Sequence, residues 1–165
     1  MSSCKTCCFC SILFSARTIL STLLALPAHP ARAWALTEDA IEHGLAALHA
    51  QQALNAASGG AHAAALLAAD GRLLALAEDV SRHCAMDKAI GLLARAGSDL
   101  DQAWALVSSR ASFELVAKCA RVGLPLLVAL SAPTALAVRA AAQTGVGLIG
   151  FARDRRWTRY GPGTP

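Results

Sequence analysis

The sequence predicts an α/β protein: a mixed sheet with largely parallel strands, covered on both faces by helices, with an antiparallel hairpin at its front. Three observations carry this. Short apolar runs at 104–107, 125–130 and 146–151 alternate with helical segments, as strands buried on both faces do. Two apolar runs flank Asp70-Gly71, a hairpin signal. Glycines at 97, 123 and 145 close the segments between the strands.

Residues 11–26 are apolar with interspersed Ser and Thr and read as a helix ending before Pro27, followed by a linker to Trp34. Thr37 suits an N-cap, with Glu38 and Asp39 in the first turn, where acids complement the helix dipole. Ile41, Leu45, Leu48 and Leu54 then recur at helical spacing, which predicts one amphipathic helix over 38–55, stopped by Ser58-Gly59-Gly60. His62–Ala69 and Arg72–Ala77 form the hairpin. A helix is expected from about Arg82 to Arg95, a strand over 104–107, a helix over 112–122 and a strand over 125–130. Pro133 then marks a helix start, consistent with its fixed φ, and a last strand covers 146–151. The organisation expected is a cysteine-bearing segment and linker (1–34), an α/β domain (35–161) and a short tail (162–165).

Hydrophobic residues make up 55% of the chain and charged residues 16%, which excludes a disordered protein. The net charge of +4 is too mild to indicate nucleic acid, and no such partner is expected. The positive charge gathers late, in Arg153, Arg155, Arg156 and Arg159, opposed only by Asp154. The apolar stretch from Ser11 to Ala28 comes closest to the roughly 18–20 residues of a membrane span, but Arg17 interrupts it, so no membrane association is expected. A secretory leader with Lys5 as its basic end and Ala31-Arg32-Ala33 as its cleavage site is opposed by a short apolar stretch and by cysteines that precede it. A cytoplasmic location is expected, where thiols stay reduced.

Ligands of such sheets bind beyond the carboxyl ends of the strands. Those ends run into Ser108-Ser109-Arg110-Ala111-Ser112 and Ser131-Ala132-Pro133-Thr134, both opening helices whose free N–H groups favour an anion. Ser109, Arg110, Ser131 and Thr134 are therefore candidate anion ligands, with local N-capping as the competing explanation. In the charge-dense stretch 78–88, His83 and Asp87 stand at i, i+4, so Asp87 could orient the imidazole while Arg82 and Lys88 face an anion. Ordinary surface ion pairs explain the same pattern.

Four of six cysteines, Cys4, Cys7, Cys8 and Cys10, crowd into the first ten residues. Zinc would need about four ligands, and beside Cys4 and Cys7 the sequence offers no separate CxxC, since Cys7-Cys8-Phe9-Cys10 shares Cys7, and no HxxxH. A thioredoxin-like site wants a strand before its CxxC. Palmitoylation is weakly specified. A sulfur-carrying nucleophile needs a lowered thiol pKa, which Lys5 and a following helix could supply. The spacing alone leaves these four open.

The stretches EDVSRHCAMDKAIG (78–91), SSRASFELVAKCARVGLPLLVALSAPTALAV (108–138) and GLIGFARDRRWTRY (147–160) resemble, in order and distance, the formate dehydrogenase accessory sulfurtransferases, the FdhD family. SGGAHAAALLAADG (58–71) and SSCKTC (2–7) fit the same pattern. The resemblance implies a sulfur carrier or sulfurtransferase that takes persulfide sulfur from a cysteine desulfurase. The sulfur passes to the molybdenum bis-guanine-dinucleotide cofactor, a bound substrate, and so activates formate dehydrogenase. It also implies a three-layer αβα sandwich like that of cytidine deaminases, and a homodimer. Cys4 is then the persulfide-bearing residue, Cys7 its partner, and the cofactor-binding stretch falls on Phe151, Ala152, Arg153, Asp154, Arg155 and Arg156. His83 joins the cofactor-binding candidates.

No catalytic zinc is expected: Ala63-Ala64 follow His62 where a deaminase needs HxE, and Ser rather than Pro precedes Cys4. The family usually has Gly at the position of Ser81, Asn at that of Cys84 and Gly at those of Lys5 and Cys8. A required positive φ would make Ser81 unfavourable. Family members also carry a strand-rich region before the CxxC, which the resemblance implies is missing here. The alternative to a working sulfur carrier is a non-catalytic or truncated module that binds the cofactor or a nucleotide.

Overall fold

The computed structural model describes residues 25–28 and 36–160. The helix expected over 11–26, apart from its last two residues, and all four N-terminal cysteines lie outside the described residues.

The elements run α1 (Glu38–Ala50), α2 (Ala53–Ser58), β1 (His62–Leu67), β2 (Leu73–Asp79), α3 (Arg82–Arg95), a 3-10 turn (Leu100–Gln102), β3 (Trp104–Val107), α4 (Phe113–Val122), β4 (Leu126–Ala129), α5 (Ala135–Thr144), β5 (Gly147–Arg153) and β6 (Arg156–Tyr160). One six-stranded sheet has the order β2-β1-β3-β4-β5-β6. It is mixed, as expected, but less parallel than expected. Only β3–β4 and β4–β5 are parallel. β1 is antiparallel to both its neighbours, and β6 returns antiparallel along β5. Strand direction is set by the connections. A tight loop makes β1–β2 and β5–β6 hairpins, whereas α4 and α5 are the crossovers that parallel neighbours require.

Successive strand residues face opposite sides of the sheet. Ala64, Leu66, Ala105, Val107, Leu127 and Leu148 pack with Met86, Ala89 and Leu93 of α3, with Leu115, Val116 and Cys119 of α4, and with Ala137 and Ala141 of α5. Ala63, Ala65, Leu67, Trp104, Leu106, Val128 and Ile149 pack on the other side with Ile41, Leu45 and Leu48 of α1. Each of the three large α1 side chains contributes about 1.5–3 kcal/mol by leaving water. Small residues let the helices approach closely: a Cβ at Gly44 would stand 2.8 Å from the Trp104 ring.

The single helix expected over 38–55 is two. The Gln51 N–H turns back to Leu48 O, and α2 restarts at Ala53. The break is stabilised from a distance: the Glu78 carboxylate accepts from Leu54 N–H at 2.7 Å and from Asn55 N–H at 2.8 Å, an anion at a helix start. Pro133 precedes α5 rather than opening it, with Thr134 as the N-cap. Ser81 sits at φ −94°, extended backbone open to any residue, so the side chain carries no strain there.

Candidate functional site

The carboxyl ends of β3 and β4 open onto a cleft of ≈ 320 Å³ lined by His62, Arg82, Ser108, Ser109, Arg110 and Ser131. Because β1 runs antiparallel to β3, its first residue, His62, arrives at this end, and Arg82 is the first residue of α3. Ser108 extends the β1–β3 ladder: its N–H donates to Ala63 O at 3.0 Å, and its Oγ accepts from Ala63 N–H at 2.9 Å. The Ser109 hydroxyl, nearly buried, donates to Arg110 O at 3.1 Å. Ser131 O accepts the Phe151 N–H at 3.3 Å, tying the β4 end to β5. A Cβ at Gly150 would lie 2.7 Å from Pro133 Cδ, so the 131–134 loop rests directly on β5.

The lining contains cations and hydroxyls and no carboxylate. Such a surface selects anions, and a planar guanidinium matches phosphate or carboxylate oxygens. Of the candidates read from the strand ends, Ser109, Arg110 and Ser131 come together here. Thr134 does not line the cleft; its Oγ1 accepts from Ala137 N–H at 3.2 Å and caps α5. Local capping therefore accounts for Thr134. Ser112, at the start of α4, makes no such cap bond.

The 151–156 stretch is the β5–β6 hairpin. Arg153 pairs with Arg156, leaving Asp154 and Arg155 as a two-residue loop at φ 53° and 55°, the φ pattern of a type I′ turn. Phe151 is also left-handed, at φ 57°, beside a register shift, and its ring is exposed. An aromatic residue held in that conformation stores backbone strain of the kind concentrated at ligand sites. The Ala152 side chain is fully buried in the α1-side core, so only its backbone can meet a ligand. Arg155 is engaged by α1: its N–H donates to Glu42 Oε1 and its guanidinium to Asp39 Oδ1, both at 3.2 Å.

His83 does not pair with Asp87. Asp87 is bound to Lys118 of α4, and Lys88 turns to Asp79 rather than to the cleft. The carboxylate nearest His83 belongs to Glu114, with Nε2 at 3.7 Å from Oε2. Burial, then the Arg82 charge, push the His83 pKa below its ordinary 6.5; Lys118 adds to this, and Glu114 and Asp87 oppose it. For Glu114, burial opposes ionisation, but the Ser112 hydroxyl beside it, its own N–H and the charges of His83 and Arg82 outweigh burial and hold its pKa below 4.5. Both shifts predict acid sensitivity. As pH falls below 6.5, the unfolded chain takes up the His83 proton before the folded chain does, so stability is lost from there downward. Glu114 adds a loss at lower pH, as its folded-state carboxylate is protonated. His83→Gln is expected to flatten the fall in melting temperature between about pH 7 and 5. A variant profile parallel to the parent would refute this.

Cys119 is fully buried, and burial pushes its thiol up to about 12, which removes it as a nucleophile. Cys84 is half-buried at the start of α3. Among the described residues no helix is long and apolar enough to cross a membrane.

The family model described as FdhD/NarQ family matches residues 2–163. The chain belongs to the FdhD/NarQ family. A protein of Xanthomonas euvesicatoria pv. vesicatoria named sulfur carrier protein FdhD is 51% identical over 122 residues, 74% of this chain and 43% of its own length. One of the same name from Bordetella petrii is 51% identical over 115 residues, 70% of this chain and 41% of its own. Another from Xanthomonas campestris pv. campestris is 47% identical over 141 residues, 86% and 50% respectively. The chain thus spans about half the length of the curated relatives it matches. A crystal structure of a Desulfotalea psychrophila protein assigned as a formate dehydrogenase accessory protein superposes with a TM-score of 0.74 at 27% identity, covering 86% of this chain and 60% of that one.

His62, Arg82 and Ser108 are the site residues that the strand-end reading did not single out as ligands. Arg82, with Lys88, reads as a charge able to face an anion, and of the two only Arg82 lines the cleft. Nothing local marks His62, which reaches the cleft only because β1 runs against β3.

Proposed function

We propose that this chain is a sulfur carrier of the FdhD/NarQ family. It takes persulfide sulfur on Cys4 from a cysteine desulfurase and passes it to the molybdenum bis-guanine-dinucleotide cofactor, its substrate, for formate dehydrogenase. The observation that supports this best is the carboxylate-free cleft of arginines, histidine and serines, which suits a substrate rich in phosphates. Phe151, whose N–H is tied to Ser131 of the lining, exposes a ring that offers a face for a nucleobase, and Arg153 and Arg156 add positive charge. Cys4 thiolate attacks the outer sulfur of the donor persulfide, and the donor cysteine leaves as thiolate. Attack by Cys7 on the inner sulfur of the Cys4 persulfide then releases sulfide to the metal and leaves a Cys4–Cys7 disulfide. The two thiols supply the two electrons that convert sulfane sulfur to sulfide, and a dithiol reductant resets the pair.

Helices on both faces of a mixed sheet fit the cytidine-deaminase-like sandwich. A homodimer, a cytoplasmic setting and the absence of catalytic zinc complete the reading. Incubation of the full chain with a cysteine desulfurase and cysteine is expected to add ~32 Da, one sulfur, to Cys4, and nothing to Cys4→Ala at that site. Nucleotide binding is expected to survive in Cys4→Ala. Equal labelling of parent and variant overturns the sulfur route and leaves a binding module.

A further inference from the structure

Several cations outside the cleft lining are held by acids. Lys88 is bound to Asp79, Lys118 to Asp87 and Arg155 to Asp39. Arg82 differs. It lines the cleft, makes no ion pair among the described residues, and its Nε is buried with no hydrogen-bond partner. A buried donor left unmatched is a feature that calls for an explanation, and ligand binding is one. Two helix starts adjoin it. Ser81 before α3 and Ser112 before α4 make no side-chain cap bond, whereas Thr37 and Thr134 cap α1 and α5. Helix starts whose N-cap side chains make no cap bond, a guanidinium without an ion pair among the described residues and a cleft lining without carboxylates converge on one kind of ligand.

We infer that Arg82 is the principal ligand of a phosphate or diphosphate group in this cleft, seconded by His62 and the Ser108–Arg110 turn. This rests on the reading above that the site takes a nucleotide-bearing substrate, and it assigns the phosphate-binding role to α3 rather than to the arginine-rich β5–β6 hairpin. Arg82 gives the fork of donors. The hydroxyls on the opposite wall accept or donate as the phosphate oxygens require.

The test uses the full chain and two probes, inorganic pyrophosphate and GDP, by calorimetry, with ADP as the comparison nucleotide. Arg82→Ala is expected to weaken both about 10- to 100-fold, the loss of a charge-assisted hydrogen-bonding pair. Arg95→Ala, which removes the same charge from the other end of α3, is expected to change neither more than about threefold, as a screened distant charge would. Arg82→Ala is also expected to melt no lower than the parent, because the side chain it removes has an unmatched buried donor. The His83 imidazole resonances supply a local readout. An anion on Arg82 offsets the charge that helps depress the His83 pKa, so that pKa is expected to rise on binding. If Arg82→Ala destabilises the chain, Arg82→Gln, which drops the charge and keeps most of the stem, is read in its place. Unchanged affinity in the folded variant, an unmoved His83, or no binding of either probe by the parent overturns the inference. Arg82-dependent pyrophosphate binding with no preference for GDP over ADP upholds the anion site and removes the guanine-nucleotide reading.

Discussion

Trp104→Ala is expected to cost about 3–5 kcal/mol of folding free energy, a large part of what a domain of this size commonly has. Trp104 is fully buried at the head of β3, and its Nε1–H donates to Ala68 O at 2.7 Å. It thereby joins the centre of the sheet to the loop of the β1–β2 hairpin. Gly44 of α1 and Leu67 of β1 close on the same region, so the ring fills the space that lets α1 lie flat on the sheet. Alanine removes the ring, leaves a cavity that neighbouring small residues cannot fill, and strips the Ala68 carbonyl of its donor. Phenylalanine restores most of the volume without the donor and is expected to recover more than half of the loss. Urea titration of the three forms measures both steps. A loss under about 1.5 kcal/mol for alanine would mean that the site collapses far more readily than its packing implies.

The elements that could be read from sequence are those whose side chains state their own environment. The runs 104–107 and 126–129 are buried at every residue and stand out as apolar blocks. Asp70-Gly71 announces the hairpin chemically: Asp70 Oδ1 accepts from Arg72 N–H, and Gly71 takes the positive φ. β6 escaped because RWTRY is an edge strand whose residues are exposed or only half-buried, so its arginines read as a charge patch. The split of α1 from α2 escaped because Glu78, the residue that steadies the new start, lies on another strand. Strand direction escaped too, since periodicity is the same in either sense and only the connections distinguish them.

The site divides in the same way. Ser109, Arg110 and Ser131 were legible because each follows a strand that points them to the sheet end. The i, i+4 spacing of His83 and Asp87 suggested a pair, but helix geometry only makes such a contact available. Lys118 and Glu114, both on α4, decide which partners form. Arg155 belongs to a charge run in sequence but in space to the acidic first turn of α1. The missing information in every case is tertiary: which element lies opposite.

Gly71→Ala is expected to cost about 2–5 kcal/mol, and a second glycine can separate the causes. Gly71 has φ +86°, and a Cβ there would sit 2.3 Å from the backbone oxygen of Ala40 in α1. That oxygen belongs to a helix and cannot swing aside as a side chain would, so α1 must shift from the hairpin or the turn must open. Gly59, which ends α2, has φ +64° with nothing within 4 Å of such a Cβ. Gly59→Ala therefore meets only the left-handed backbone penalty, about 1–2 kcal/mol. The difference between the two variants measures how tightly α1 is seated on the β1–β2 hairpin, independent of the φ cost that they share. Because α1 also holds the β5–β6 loop through Asp39 and Glu42, a shifted helix should loosen Arg155 as well. Gly71→Ala, but not Gly59→Ala, is then expected to speed amide exchange at Arg155. Equal losses in the two variants, with Arg155 unchanged in both, would show that the close approach at Ala40 is relieved without moving the helix.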